Sequence, residues 1–537
     1  MGSAQLLDCT LRDGAYLIDK TFGNNTIRGI IRGLVQARMD YIEIGFFQDE
    51  GFGEGKTVFR NSADAARFIP EDKGVSEFTV LADYSRFTVD CLDDRREDSI
   101  DAIRECFFKH ERYDAIAACH KIKKKGYKVF VQPVDILGYT DSELLELIEL
   151  INQLVPYCVS IVDTFGSMYE EDLRHVYSLI DHNLVSNVKI GFHSHNNMQL
   201  SNALSQSFLR MAVGERQVIV DGTISGMGRG AGNTPTELIA QYMVSKLGYS
   251  YDIDAILDII DGYMDNIRSK CIWGYSTPYF IAGCYSAHVN NIAYLTQKNT
   301  IRSKDIRFIL NKIGAQPRKR YDYDLLEQTY LDYLQSDIDD TATLKNLRSA
   351  LFGKAIVVIA PGKTASTHSS QIKKYIRTHN AIVITVNFLH DSIPSDFVYM
   401  SNVRRYRYWK NSPEFSNAKK IVTSNVMSEM DDNQTSIISF ARLVKCGWEH
   451  LDNSTIMLFR LLDLLEVSSV AIAGLDGYGF RSEENYANTT LELANVKENP
   501  TALNEEIEAM LKDYLRCRMH NIPITFITPS RFEIILE

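Results

Sequence analysis

Residues 193–197 read HSHNN. In an extended strand, side chains two residues apart leave the same face, so His193 and His195 would aim two imidazoles at one point. Such a pair by itself is more often structural. Near the N-terminus, however, TLRDG (10–14) follows the apolar start QLL and brings Asp8, Arg12 and Asp13 to the end of a short strand. An Asp from that strand end adds an oxygen donor. Two histidines and one carboxylate hold a divalent ion and leave positions open for substrate and water, as a catalytic site requires. A third stretch, SGMGRGAGN (225–233), has glycines that permit tight turns and close backbone approach to a ligand. Its end, Asn233 and Thr234, reads equally as part of the ion's surroundings or as a turn before the helix that follows.

These stretches need a frame that brings them together. The first part of the chain alternates short apolar runs with amphipathic ones. Strands are predicted at 5–10, 41–47, 77–83, 102–108, 127–134, 158–164, 188–195 and 217–223, with helices such as 25–39, 142–155 and 198–212 between them. Eight strand–helix units in about 250 residues is the count for a (β/α)8 TIM barrel. In a parallel barrel every strand C-terminus opens on one face. Asp8 to Asp13, Glu43, Asp163, His193 with His195, and Asp221 would all converge there. A doubly wound open sheet fits the alternation but leaves that convergence unexplained.

With 537 residues the chain exceeds one ordinary core. Three parts are expected: the barrel in 1–250, a helical region in 251–350 that completes the site and links, and a Rossmann-like α/β domain in 351–537. The net charge of −11 argues against a general nucleic-acid binder; RRYRYWK (404–410), the best basic cluster, reads as an exposed edge or loop. No apolar run has the length of a membrane span, and there is no signal-type N-terminus. Nine singly scattered cysteines suit reduced thiols, so a cytoplasmic enzyme is expected.

TLRDG after the first strand, HSHNN on the seventh and GMGRGAGN after the eighth, in this order, resemble the superfamily of metal-dependent pyruvate aldolases and lyases. It includes 4-hydroxy-2-oxovalerate aldolase, hydroxymethylglutaryl-CoA lyase and isopropylmalate synthase. The resemblance covers about residues 4–300 and implies Asp13, His193 and His195 as metal ligands. It further implies Asn233 beside the metal and Arg12 as the arginine that steadies an enolate oxygen. The 4-hydroxy-2-oxovalerate aldolases resemble the chain best, because IAGCYSAH (281–288) matches their segment with an active-site tyrosine, here Tyr285. The pattern departs at Tyr16, where those aldolases have a histidine proposed to move the proton. A tyrosine, with an ordinary pKa near ~10, is a poorer base than a histidine near ~6.5.

The resemblance implies reversible addition of pyruvate to a small aldehyde on a divalent ion, Mn²⁺ favoured over Mg²⁺, Co²⁺ or Zn²⁺. Tyr16, Tyr285 or a bound water would protonate the new alkoxide. Two other readings stand beside it: an acyl-CoA-dependent lyase or Claisen-type synthase, and a barrel that lost its base and scaffolds a glycan-synthesis complex. In the C-terminal part, APGKTAST (360–367), AGLDGYGF (473–480) and NIPITFITPS (521–530) bear a faint resemblance to sialyltransferase-like and pterin pyrophosphokinase-like domains. That implies a nucleotide or sugar phosphate as ligand there and a place in surface-glycan synthesis. A homo-oligomer is compatible with all of this.

Overall fold

The computed structural model describes residues 4–212, 216–297, 303–334, 338–429, 435–445, 447–450, 452–481, 484–488 and 499–533. The chain forms two compact units, Met1–Ile292 with Ala315–Tyr321, and Ala293–Gly314 with Asp322–Glu537. The stretch 251–350, read from the sequence as one helical region, is therefore divided between them.

The first unit is the (β/α)8 barrel. Its strands are β1 (Ala4–Asp8), β2 (Tyr41–Phe47), β3 (Glu77–Asp83), β4 (Ala102–Phe107), β5 (Lys128–Pro133), β6 (Cys158–Asp163), β7 (Lys189–Ser194) and β8 (Val218–Gly222). All pair in parallel with their neighbours in chain order, and β1 closes the ring by pairing with both β2 and β8. A two-residue strand, Val58–Phe59, adds beside β2. The helices outside bury one stripe each. In Asn24–Gln36, Ile27, Ile30, Ile31 and Leu34 are the buried positions, the i, i+3, i+4, i+7 spacing of an amphipathic helix.

The alternation of side chains along the strands sorts the barrel interior into layers. At its N-terminal end Leu7, Tyr41, Ala102, Phe130, Cys158 and Ile219 form an apolar plug. Two residues further along several of these strands stand Glu43, Arg104, Gln132, Ser160 and Asp221, all buried. The plug carries the packing, and the layer above it is polar because it faces the site. At the rim, the predicted helix over 251–267 is a run from Ile253 to Arg268 with a π-turn at Ile260–Met264. The tyrosine-rich segment gives two helices, Thr277–Cys284 and Val289–Gln297.

The second unit carries a parallel seven-stranded sheet of β9 (Ala355–Ile359), β10 (Ile382–Val386), β11 (Phe397–Met400), β12 (Lys419–Thr423), β13 (Thr435–Ile438), β14 (Ser469–Ala473) and β15 (Ile524–Phe526). Their order across the sheet is β13-β12-β11-β10-β9-β14-β15, a Rossmann-like arrangement whose direction reverses between β9 and β14. Strand β13 went unread in the sequence because its four residues stand alone among polar ones. The basic cluster at 404–410 is not an edge or loop: it lies on helix Val403–Trp409, with Arg405 and Tyr406 buried. The end of the helical region read over 251–350 contains helix Thr341–Leu351, with Leu347 and Leu351 buried; residues 335–337 lie outside those described. Among the described residues no helix is long and apolar enough to cross a membrane.

Candidate metal centre

Strand β1 ends in a single helical turn, Thr10–Asp13. Asp8 anchors it, accepting from the Thr10 N–H at 3.0 Å and from the Thr236 hydroxyl at 2.6 Å. Its carboxylate is thus used within the scaffold, and burial pushes its pKa up to about 6. The turn carries Arg12 and Asp13 over the barrel mouth, where both are buried.

Asp13 Oδ2 lies 3.3 Å from His193 Nε2 and 3.9 Å from His195 Nε2. One donor atom from each of the three falls within 4.8 Å of the others. Asn233 is brought alongside by a bridge between His195 and Asn233 and by the Asn196 N–H donating to the Gly232 carbonyl at 2.7 Å. Its Oδ1 is buried with no hydrogen-bond partner among the described residues, a position in which an acceptor is costly to leave idle. Gly228 lets the loop pass this close, since a Cβ there would stand 2.3 Å from Asn233 Nδ2 and 3.2 Å from Asp13 Oδ1. Two imidazole nitrogens, a carboxylate and an idle amide oxygen suit a divalent transition ion.

The charges behind these donors are ordered. Arg12 donates from Nε to Glu43 and from Nη1 to Asp13, each at 2.7 Å. Burial alone would raise the Asp13 pKa, but Arg12 and the two histidines hold it well below the usual carboxylate range. His193 Nδ1 lies 3.0 Å from Asp221 Oδ2. Burial would lower this histidine, yet its hydrogen bonds with Asp13 and Asp221 keep it above its ordinary value. His195, with no partner on its far side among the described residues, is pushed by burial down to about 4, which keeps it neutral. Arg104 completes the layer below, pairing with Asp221 and lying 3.1 Å from Glu43. Gln132 lies between Arg104 and Ser160.

The structure therefore brings Arg12, Asp13, His193, His195 and Asn233 together. Tyr16 stands on the turn after Asp13, its ring 5.3 Å from Phe46 and under the Arg229 guanidinium at 4.0 Å. Burial raises its pKa, against the pull of Arg229 and Arg12, so the phenol keeps its proton. Tyr285 caps helix Thr277–Cys284, with Arg318 at 5.2 Å over its ring. That helix sits over the HSHNN end: a Cβ on Gly283 would meet Met198 at 2.9 Å and Asn197 at 3.2 Å. Arg104 was missed from the sequence. Its signal was available, as a charge at an inward position of an apolar strand, and such a charge needs a buried acid.

Asp221 turns the His193 ring by accepting from Nδ1, so that Nε2 faces Asp13. Such orienting partners typically carry 10- to 100-fold of metal affinity. Asp221→Asn is expected to weaken Mn²⁺ binding by about 10- to 100-fold, read by equilibrium dialysis, while the far-ultraviolet spectrum stays that of the native chain.

Residues 3–261 match the HMGL-like family. With the closed barrel and its donor set, this makes the first unit an HMGL-like TIM-barrel enzyme domain, a kind found in carbon–carbon lyases and aldolases. The chain is 26% identical over 270 residues to an oxaloacetate decarboxylase of Mycobacterium tuberculosis, covering 47% of this chain and 74% of that protein. It is 27% identical over 258 residues to a 4-hydroxy-2-oxovalerate aldolase of Thermomicrobium roseum, covering 47% and 69%. A 4-hydroxy-2-oxovalerate aldolase of Bacillus thuringiensis is 22% identical over 330 residues, covering 58% and 92%.

In the second unit, the loops after β9 and β14 are stitched together at the switch point. Gly362 N–H donates to the Gly474 carbonyl at 2.9 Å and Thr364 N–H to Asp476 at 2.7 Å. The Thr364 amide is thus already satisfied by a carboxylate, and the helix at this loop, Lys363–Thr367, runs for five residues.

Proposed function

We propose that the barrel is a divalent-metal-dependent aldolase that joins pyruvate to a small aldehyde and cleaves the 4-hydroxy-2-oxo acid product. The observation that carries this reading is the junction of Asp13, His193 and His195 with Arg12. A divalent ion on those three donors, Mn²⁺ in the first instance, supplies Lewis acidity to the carbonyl of a 2-oxo acid. Arg12 is fixed at two of its nitrogens, and its Nη2 makes no hydrogen bond among the described residues. That nitrogen is free to bind the oxygen of pyruvate on which negative charge grows as a C3 proton passes to a water or hydroxide in the site. A charge-assisted donor held in a water-poor site is worth more there than in solution.

The carbanion carbon C3 then forms the new bond to the aldehyde carbon, the C=O π pair moves to oxygen, and that oxygen takes one proton. Tyr16 supplies the proton, since it is buried, protonated and one turn from Asp13; Tyr285 is the second donor on the rim. A lysine Schiff base has no support, because the inward residues above the apolar plug are Glu43, Arg104, Gln132, Ser160 and Asp221.

Mn²⁺, pyruvate and a panel of aldehydes, with products identified by mass, test the reading. Condensation products at pyruvate plus aldehyde mass support it. Consumption of acetyl-CoA in place of aldehydes would replace it with a Claisen-type synthase. The 26% identity to an oxaloacetate decarboxylase favours one further reading, in which CO₂ leaves C3 of oxaloacetate and the same enolate is protonated; release of CO₂ with no aldehyde consumed would select it. A place in surface-glycan synthesis follows if glycolaldehyde or a short aldose is the aldehyde used and if the second unit takes a nucleotide or sugar phosphate.

A further inference from the structure

Most cations near the barrel mouth are matched by acids. Lys319 pairs with Asp135 at 2.6 Å, Lys109 with Glu143 at 2.8 Å and Arg86 with Asp83 at 3.6 Å. Three cations break the pattern, with no carboxylate partner among the described residues. Arg229 rests over the Tyr16 ring at 4.0 Å. Lys20 lies 4.8 Å above the Phe46 ring and donates only to the neutral Gln48 amide, at 2.7 Å. Arg318 lies over Tyr285, and its Nε is buried with no acceptor.

They belong to one rim. Tyr16 and Phe46 touch edge to face at 5.3 Å, which sets Arg229 and Lys20 on adjoining rings. The Arg229 backbone N–H reaches Asp13 Oδ1 at 3.4 Å, so its side chain starts beside the metal donors. On the other flank, a Cβ on Gly230 would stand 3.1 Å from Val289 Cγ1, and the His288 N–H donates to the Arg318 carbonyl at 2.9 Å. The positive field is felt across the rim: burial and then Arg229 hold His288 down to about 4.

Partly buried cations are ordinarily paired, because desolvation is costly without a counter-charge. Aromatic faces repay only part of that cost. In a chain of net charge −11, three unmatched cations around the two candidate proton donors mark a place that an anion completes. A divalent ion on Asp13, His193 and His195 would take the carboxylate of pyruvate and Arg12 its charged oxygen, so this charge is meant for the second substrate.

We propose that the aldehyde partner carries an anionic group, a phosphate or a carboxylate, which Arg229 and Lys20 hold beside Tyr16 with Arg318 as the third cation. The assignment rests on the aldol reading for its reaction and extends it to the class of acceptor. Guanidinium forks suit both anions, since each offers paired oxygens.

Full-length protein with Mn²⁺ and pyruvate is assayed with glycolaldehyde, glycolaldehyde phosphate and succinic semialdehyde. One anionic aldehyde is expected to exceed glycolaldehyde in kcat/KM by about tenfold or more, and which one wins identifies the anion. Arg229→Gln should cut that anionic-to-neutral ratio by about ten- to a hundredfold, through KM. Lys20→Gln, on a different segment, should cut it too, and serves if the first variant does not fold. Equal use of all three aldehydes, or a ratio unchanged in both variants, overturns the assignment. Metal-dependent exchange of pyruvate C3 protons, which needs no aldehyde, tests the aldol reading separately. Should exchange be absent, calorimetric titration with glycolaldehyde phosphate and succinic semialdehyde still decides: binding lost in Arg229→Gln upholds the anion site, and no binding or equal binding refutes it.

Discussion

Replacing His193 by alanine is expected to abolish exchange of pyruvate C3 protons, with a fall of about 10³-fold or more, the size of losing several kcal/mol of Lewis-acid stabilisation. The magnitude follows from the place of the ring. Its Nε2 is 3.3 Å from Asp13 and its Nδ1 3.0 Å from Asp221, so it is at once a metal donor and the link between the donor set and the layer below. Alanine removes the donor and leaves Asp221 to Arg104 alone. Metal binding should fall with activity. Dialysis against Mn²⁺ is expected to show no bound ion in the variant at concentrations that saturate the parent. Full exchange by a variant that binds no metal would contradict the assignment.

Arg12→Gln is the second large effect. Glutamine keeps a donor but no charge, and it cannot span Glu43 and Asp13 as the guanidinium does. Loss of one preorganised donor to a growing oxyanion costs about 10²- to 10³-fold in kcat. The variant should also lose stability, because Glu43 is buried and Arg104 becomes its remaining cation. Breaking one partner out of a buried ion pair costs about 3–5 kcal/mol. Arg12→Lys separates the two effects: it restores the charge without the fork. Lysine is therefore expected to recover much of the stability and little of the rate, read by thermal melting and initial rates side by side.

The barrel was legible because its strands are short, apolar and closed by turn residues. Seven of the eight stand within one residue of the positions read from the sequence at both ends, and β1, read as 5–10, ends at Asp8 because Thr10 already begins the helical turn. The metal donors were legible for a different reason. HSHNN fixes two imidazoles by strand geometry alone, whereas choosing Asp13 over Asp8 needed the family resemblance, and the hydrogen bonds of Asp8 to Thr10 and Thr236 give the physical reason. Arg104 itself carried a readable signal, but its pairing with Asp221 did not, because strands far apart in sequence meet only when the barrel closes. The second unit was harder still. Its sheet was visible except for β13, but the switch-point contact between Thr364 and Asp476 joins residues more than a hundred positions apart. A strand-to-helix loop such as APGKTAST looks open to a phosphate until its satisfied amide is seen.

In the proposed function, Asp13, His193 and His195 hold one divalent ion that labilises the C3 protons of pyruvate. Its most direct test is the methyl signal of pyruvate followed by proton NMR in deuterium oxide, with full-length protein, after EDTA and then after added Mn²⁺. Exchange is expected to stop with EDTA, to return with Mn²⁺, and to stay absent in His193→Ala under both conditions. Exchange that persists in EDTA and in His193→Ala would contradict it.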